Sequence, residues 1–205
     1  VKIGRIEKMS KSKQNVVDPS VIIEKYGADT ARWYMMSDSP PDRDLEWTES
    51  GIEGSFKFIN KIWRLANNIL GYKEKNIFDD KKETEFKKEL NKYIEKISFN
   101  INAFHFNKMV ANIYELTNYA QKTLKSNSLK KQTLLDFINI FSKLIHPVIP
   151  HISEEIWSLF KNNPRFCGSK MMSLNFKDII LELKKIDFFQ TVTRGGTKNH
   201  QMIKT

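Results

Sequence analysis

The chain has 205 residues, 40% of them hydrophobic and 14 of them Phe, enough for a core, because a globule of about 150 residues removes roughly 68 to 70% of its unfolded surface from water. A formal charge of +10 points to an anionic partner, and RNA fits better than a membrane because no apolar run reaches the roughly 18 residues of a spanning helix; the competing account is a merely solvated surface, or AT-rich coding behind the abundant Lys, Asn, Ile and Phe. A single cysteine, Cys167, excludes an internal disulfide and a multi-cysteine zinc site and fits a reducing cytoplasm, and no apolar stretch follows the basic first residues as it would in a signal peptide.

The first segment with chemistry is Lys8-Met9-Ser10-Lys11-Ser12, continued by Lys13-Gln14-Asn15-Val16-Val17-Asp18-Pro19. It sets two lysines three apart on a short polar loop. When a carboxylate attacks the α-phosphorus of ATP, charge grows on the phosphate oxygens, and ammonium groups that reach them only then lower the barrier selectively. Lys11 is the first candidate for that role, and the alternative is a solvated Lys/Ser loop.

Asp18 is a good N-cap with Pro19 behind it, so a helix is expected from about 19 to 25, stopping at Gly27, and a second from about 28 to 37. Pro40-Pro41, Asp42 and Asp44 form an extended connector and an expected boundary near residue 45. From Thr48, apolar residues recur at helical spacing (Ile52, Phe56, Ile59, Ile62/Trp63, Leu65/Ala66, Ile69/Leu70) and stop at Gly71. Residues 76–85 are charged and read as a loop. Helical spacing returns at Phe86, Leu90, Tyr93/Ile94 and Ile97, then from Phe106 to Leu124, and after a polar break at 125–128 from Leu134 to Ile145. Pro147 ends that run and Pro150 can open another helix carrying Ile152, Ile156 and Leu159/Phe160. Four long amphipathic helices must bury their stripes against one another, so the expected fold is mainly α, an antiparallel helical bundle.

Together the lysine loop, Tyr26-Gly27-Ala28-Asp29-Thr30-Ala31-Arg32, Ser39-Pro40-Pro41-Asp42-Arg43-Asp44-Leu45-Glu46-Trp47 and Gly51-Ile52-Glu53-Gly54 resemble the class I aminoacyl-tRNA synthetases that charge branched aliphatic amino acids, and among these the leucine type. The resemblance runs from Val1 to about Phe160. It implies the end of a Rossmann-type catalytic domain over 1–45 and an α-helical anticodon-binding domain over 46–160. It also implies Lys8 and Lys11 at the phosphates of ATP, which arrives with Mg2+, with Met9, Ser10 and Ser12 shaping the loop. Leucine and tRNA(Leu) are the implied further substrates, in the cytoplasm. Leucine enzymes as a family do not depend on reading the anticodon, so phosphate and shape recognition is the expected mode.

The His-x-Gly-His element of the family is absent, since none of His105, His146, His151 or His200 has that spacing. The chain also starts with Val, and it is expected to be a fragment or the product of a broken gene, with a complementing N-terminal fragment as a possible partner. Residues 161–205 read as a divergent tail: a helix over 176–189 carries no assigned role, and Gly195-Gly196 lacks the flanks of a phosphate loop.

Arg43, Lys57, Lys61, Arg64 and the group Lys122, Lys125, Lys130, Lys131 are the candidates for tRNA backbone contacts, which fix register without reading sequence. Trp33, Tyr34, Trp47, Trp63 and Trp157 are assigned to packing rather than base stacking. His151, Glu154 and Glu155 are read as a structural cluster at a helix start. A metal held by His146 and His151, which flank Pro147 and Pro150, is disfavoured because no third ligand of suitable type has a defined spacing. The competing functions are a stand-alone tRNA-binding module, which would have no use for the lysine loop, and a non-functional remnant.

Overall fold

The order of elements follows from where the chain supplies caps. In a computed structural model that describes residues 7–40, 43–74, 79–126, 128–160 and 162, Asp18 accepts the Ser20 N–H at 2.8 Å and Pro19 opens α1 (Pro19–Tyr26). Gly27, at φ 85°, then turns the chain directly into α2 (Ala28–Ser37), a backbone angle that glycine reaches without the steric penalty of a Cβ. The Thr48 hydroxyl accepts the Gly51 N–H and starts α3 (Glu49–Leu70). α4 (Asp80–Asn102), α5 (Phe106–Ser126), α6 (Lys131–Ile145) and α7 (Pro150–Leu159) complete the chain. No strand occurs among the described residues.

α4 and α5 form a hairpin, α2 lies against both α3 and α5, and α6 packs on α7, α3 and α4. One apolar core runs through α2 to α7, built on fully buried Trp33, Ile62, Leu65, Phe86, Leu90, Ile113, Phe137 and Phe141. A smaller cluster of Ile22, Tyr26, Tyr34 and Ile52 joins α1 and α2 to the start of α3. The expected antiparallel bundle is thus present, with α3 to α6 as its four long helices.

Two expectations need correction. The segment read as a loop over 76–85 is helical from Asp80, because Asp79 accepts the N–H groups of Lys81 and Lys82 and sets a cap where the charge density suggested solvent. Residues 75–78 lie outside the described set. Inside this stretch Glu83 is buried, and its carboxylate accepts from the Lys130 N–H and, at 2.6 Å, from the Thr133 hydroxyl. It therefore caps α6 from another helix, placing negative charge at the positive end of the helix dipole. In α3, Phe56, expected on the buried stripe, is exposed, whereas Phe58 is buried. The expected tail helix over 176–189 lies outside the described residues.

Candidate phosphate and nucleic-acid surfaces

The lysine loop is held by its own polar side chains. Asn15 accepts the Ser10 N–H at 2.8 Å and donates to the Lys8 carbonyl at 3.3 Å, closing the loop at its base. The Ser10 and Ser12 hydroxyls lie 2.6 Å apart. Residues Lys11–Lys13 form a single 3-10 turn, ended by Gln14 in the left-handed region at φ 52°. Lys13 is drawn off to Glu7 at 2.8 Å. Lys8 and Lys11 are exposed and form no ion pair among the described residues. Of three lysines, the two assigned to phosphate are therefore the two whose charge is left available. Met9 helps to line an apolar cleft of about 420 Å³ with Val17, Ile22, Leu45 and Trp47, which ties the loop to α1 and the connector.

On the bundle, Lys57, Lys61 and Arg64 follow one another at helical spacing along α3. Lys57 and Arg64 are exposed, and Lys61 is half-buried and donates to Asn118 of α5. Arg43 is exposed on the connector. The four-lysine group divides. Lys131 donates to the Leu70 and Tyr72 carbonyls at 3.3 and 3.1 Å, satisfying the end of α3, and Lys130 lies 3.5 Å from Asp80. Lys122 and Lys125 remain exposed on α5.

The aromatic residues pack as expected. Trp33 stacks on Phe58 at 5.0 Å and donates its indole N–H to Tyr114, while Tyr34, Trp47, Trp63 and Trp157 lie in or against the two clusters. The expected cluster of His151, Glu154 and Glu155 at the start of α7 does not form, because two of the three side chains are taken by residues outside it. His151 meets Asp29 at 2.8 Å, His146 lies 3.5 Å from Glu154, and Glu155 is exposed. No group of three or more metal-ligating side chains occurs among the described residues, and no helix among them is long and apolar enough to cross a membrane.

Sequence reasoning missed the structural use of Asp29 and Arg32. Both stand in the recognisable stretch from Tyr26 to Arg32, yet their partners lie more than 110 residues away, and no local spacing announces such a contact.

Comparison with known proteins bears on the same regions. Residues 3–48 match the class I tRNA synthetases for Ile, Leu, Met and Val, and residues 83–197 match the anticodon-binding domain of tRNA ligases. The second match runs past Phe160 into the segment expected to be a divergent tail. A leucine–tRNA ligase from Rhizorhabdus wittichii is 46% identical over 156 residues, covering 76% of this chain and 17% of that protein. One from Zymomonas mobilis is 42% identical over 161 residues, covering 78% and 18%. A solved LeuRS-tRNA-LeuAMS ternary complex from Agrobacterium radiobacter superimposes with a TM-score of 0.68 at 26% identity, covering 84% of this chain and 23% of that one. The chain thus spans less than a fifth of the curated relatives' length.

Proposed function

The chain belongs to the class I aminoacyl-tRNA synthetases, in their leucine branch, and from that premise we propose that it supplies the lysine loop and the tRNA-docking bundle of a leucine–tRNA ligase. In that reaction leucine and ATP give leucyl-adenylate and pyrophosphate, and leucine then passes to the 3′ end of tRNA(Leu) in the cytoplasm. The observation that carries the reading is the pairing pattern in the loop: Glu7 takes Lys13, while Lys8 and Lys11 stay exposed on a turn closed by Asn15. A loop whose backbone is already closed has less to reorganise when its two available cations meet the charge that develops on the phosphates.

The loop's free donors are ammonium and hydroxyl groups, a set that suits phosphate oxygens and not a metal ion, so Mg2+ is expected to travel with the nucleotide. Lys8 and Lys11 then stabilise the charge that grows on the leaving pyrophosphate, and Ser10 and Ser12 hold the turn that aims them. Arg43, Lys57, Lys61 and Arg64 meet the tRNA backbone. The relatives' remaining length, which this chain does not cover, would carry the rest of the nucleotide and leucine pockets, in the same polypeptide or a complementing one.

In a full-length leucine–tRNA ligase carrying these residues, Lys11→Ala should slow adenylate formation by roughly 100-fold or more, with leucine affinity little changed. Leucine-dependent pyrophosphate exchange measures this directly. Lys11→Arg should restore only part of the rate, since the planar guanidinium keeps the charge but not the compact ammonium geometry. An unchanged rate for Lys11→Ala removes the loop from the mechanism.

A further inference from the structure

α7 begins at a place that cannot cap itself. Its N-cap is Ile149, which has no side-chain acceptor, and its first residue is Pro150. The free amide of Ile152 is instead taken by Asp29, whose Oδ2 accepts it at 2.7 Å, while Oδ1 lies 2.8 Å from His151 Nδ1. Asp29 is only 7% exposed, so this carboxylate is committed to the helix end. Its negative charge sits where the α7 dipole is positive.

One turn further along α2, Arg32 reaches the other side of the same corner. Its Nε donates to the Val148 carbonyl at 2.8 Å and its Nη2 to the Pro147 carbonyl at 3.0 Å. These are carbonyls of the turn that follows α6, where helix geometry leaves acceptors without internal partners. The fork of a guanidinium can serve two of them at once, which a lysine cannot. One turn of α2 thus reads both helix ends of the α6–α7 corner, cation to carbonyls and carboxylate to amide. That turn is the first of α2, joined through Gly27 and α1 to the lysine loop.

We propose that Asp29 and Arg32 are positioning residues that clamp the first turn of α2 to the α6–α7 corner and so hold the lysine loop in register with the tRNA-docking bundle. Trp33 anchors the rest of α2 in the core, so losing the clamp frees the loop end of α2 and not the helix as a whole. The role rests on the proposed part of the lysine loop in adenylate formation. It separates two quantities that a purely architectural contact would lower together: the adenylation rate falls, and affinity for tRNA stays.

The test uses a full-length leucine–tRNA ligase carrying this segment, with Arg32→Met, Arg32→Lys and Asp29→Asn. Arg32→Met should lower the turnover number of leucine-dependent pyrophosphate exchange between about tenfold and 100-fold, as a displacement near 1 Å can. Its tRNA dissociation constant should be unchanged. Arg32→Lys, which keeps charge and one donor, should fall between Arg32→Met and the parent, and it serves if Arg32→Met fails to fold. In the 205-residue chain with Cys167→Ser, spin labels at Val16→Cys and Asn60→Cys should report a distance distribution that broadens with Arg32→Met. Parental exchange rates in both Arg32→Lys and Asp29→Asn, parallel losses of rate and tRNA affinity, or an unbroadened distribution each overturn the clamp. Should Lys11→Ala itself leave the rate unchanged, the proposed function fails. A slow Lys11→Ala beside a normal Arg32→Met overturns the positioning role alone.

Discussion

Gly51 sits where α2 and α3 cross, and a Cβ built there would lie 2.4 Å from Tyr34 Cε2 and 2.7 Å from Thr48 Oγ1. Tyr34 cannot yield easily, since its hydroxyl donates to the Glu46 carbonyl at 2.6 Å and accepts the Thr48 N–H at 3.0 Å. Gly51→Ala should therefore destabilise by about 1 to 3 kcal/mol, the usual range for overpacking. Gly54→Ala meets open space and should stabilise by up to about 1 kcal/mol through helix propensity. Urea midpoints of the two variants measure the contrast. The sequence showed the two glycines as a pair, and only the position of Tyr34 tells them apart.

His146 offers a second test at this scale. Burial holds its imidazole below the ordinary 6.5, against the opposing pull of Glu154 3.5 Å away and of Asp29. The unfolded chain therefore binds the proton more readily, so stability should fall as pH drops from about 6.5 through the lower folded value, with no contribution above 6.5. An NMR titration should place its midpoint below 6.5, and His146→Gln should lose less stability than the parent between about pH 7.5 and 5.5. A midpoint above 6.5 would mean that Glu154 outweighs burial.

At the scale of elements, the helices were legible wherever an apolar stripe met a local cap. Asp18 with Pro19, and Thr48 with the run from Ile52, are examples. The start of α4 is the exception: its cap, Asp79, is local, but the charged residues between it and Phe86 look solvated in sequence, and Glu83 among them is buried only because it serves the start of α6 through Lys130 and Thr133. The cap of α7 was equally hidden, since it comes from Asp29. Tertiary caps of this kind have no spacing to read. They also affect where the chain can be cut. Trp33 is fully buried and stacks on Phe58, so the bundle core draws on a residue before the expected boundary near 45. A segment from 18 to 160 should unfold cooperatively, and one from 48 to 160 should be less stable by at least the roughly 3 to 5 kcal/mol typical of losing a buried tryptophan. Equal urea midpoints for the two would show that α2 is dispensable to the core.

For the whole molecule, the proposed docking of tRNA draws on charge spread over two helices rather than on a base-reading pocket. Lys57, Lys61 and Arg64 line α3, and Lys122 and Lys125 stand on α5, which Lys61 reaches through Asn118. The candidate residues of the lysine loop and of α3 could be named from sequence because their pattern is local. Their division into paired and unpaired charges could not, since Glu7, Asp80 and the end of α3 claim Lys13, Lys130 and Lys131 only in the folded chain.

If about four of these cations each neutralise a phosphate, the affinity for tRNA should fall with a log–log salt slope of about −3 to −4, or roughly 60- to 250-fold between 50 and 200 mM. The measurement that tests the account most directly is tRNA(Leu) binding by the 205-residue chain across that range, with an anticodon-substituted tRNA alongside. The expected result is weak binding with that slope, equal for the two RNAs. Binding that ignores salt, that separates the RNAs sharply by anticodon, or that is missing at 50 mM would contradict it.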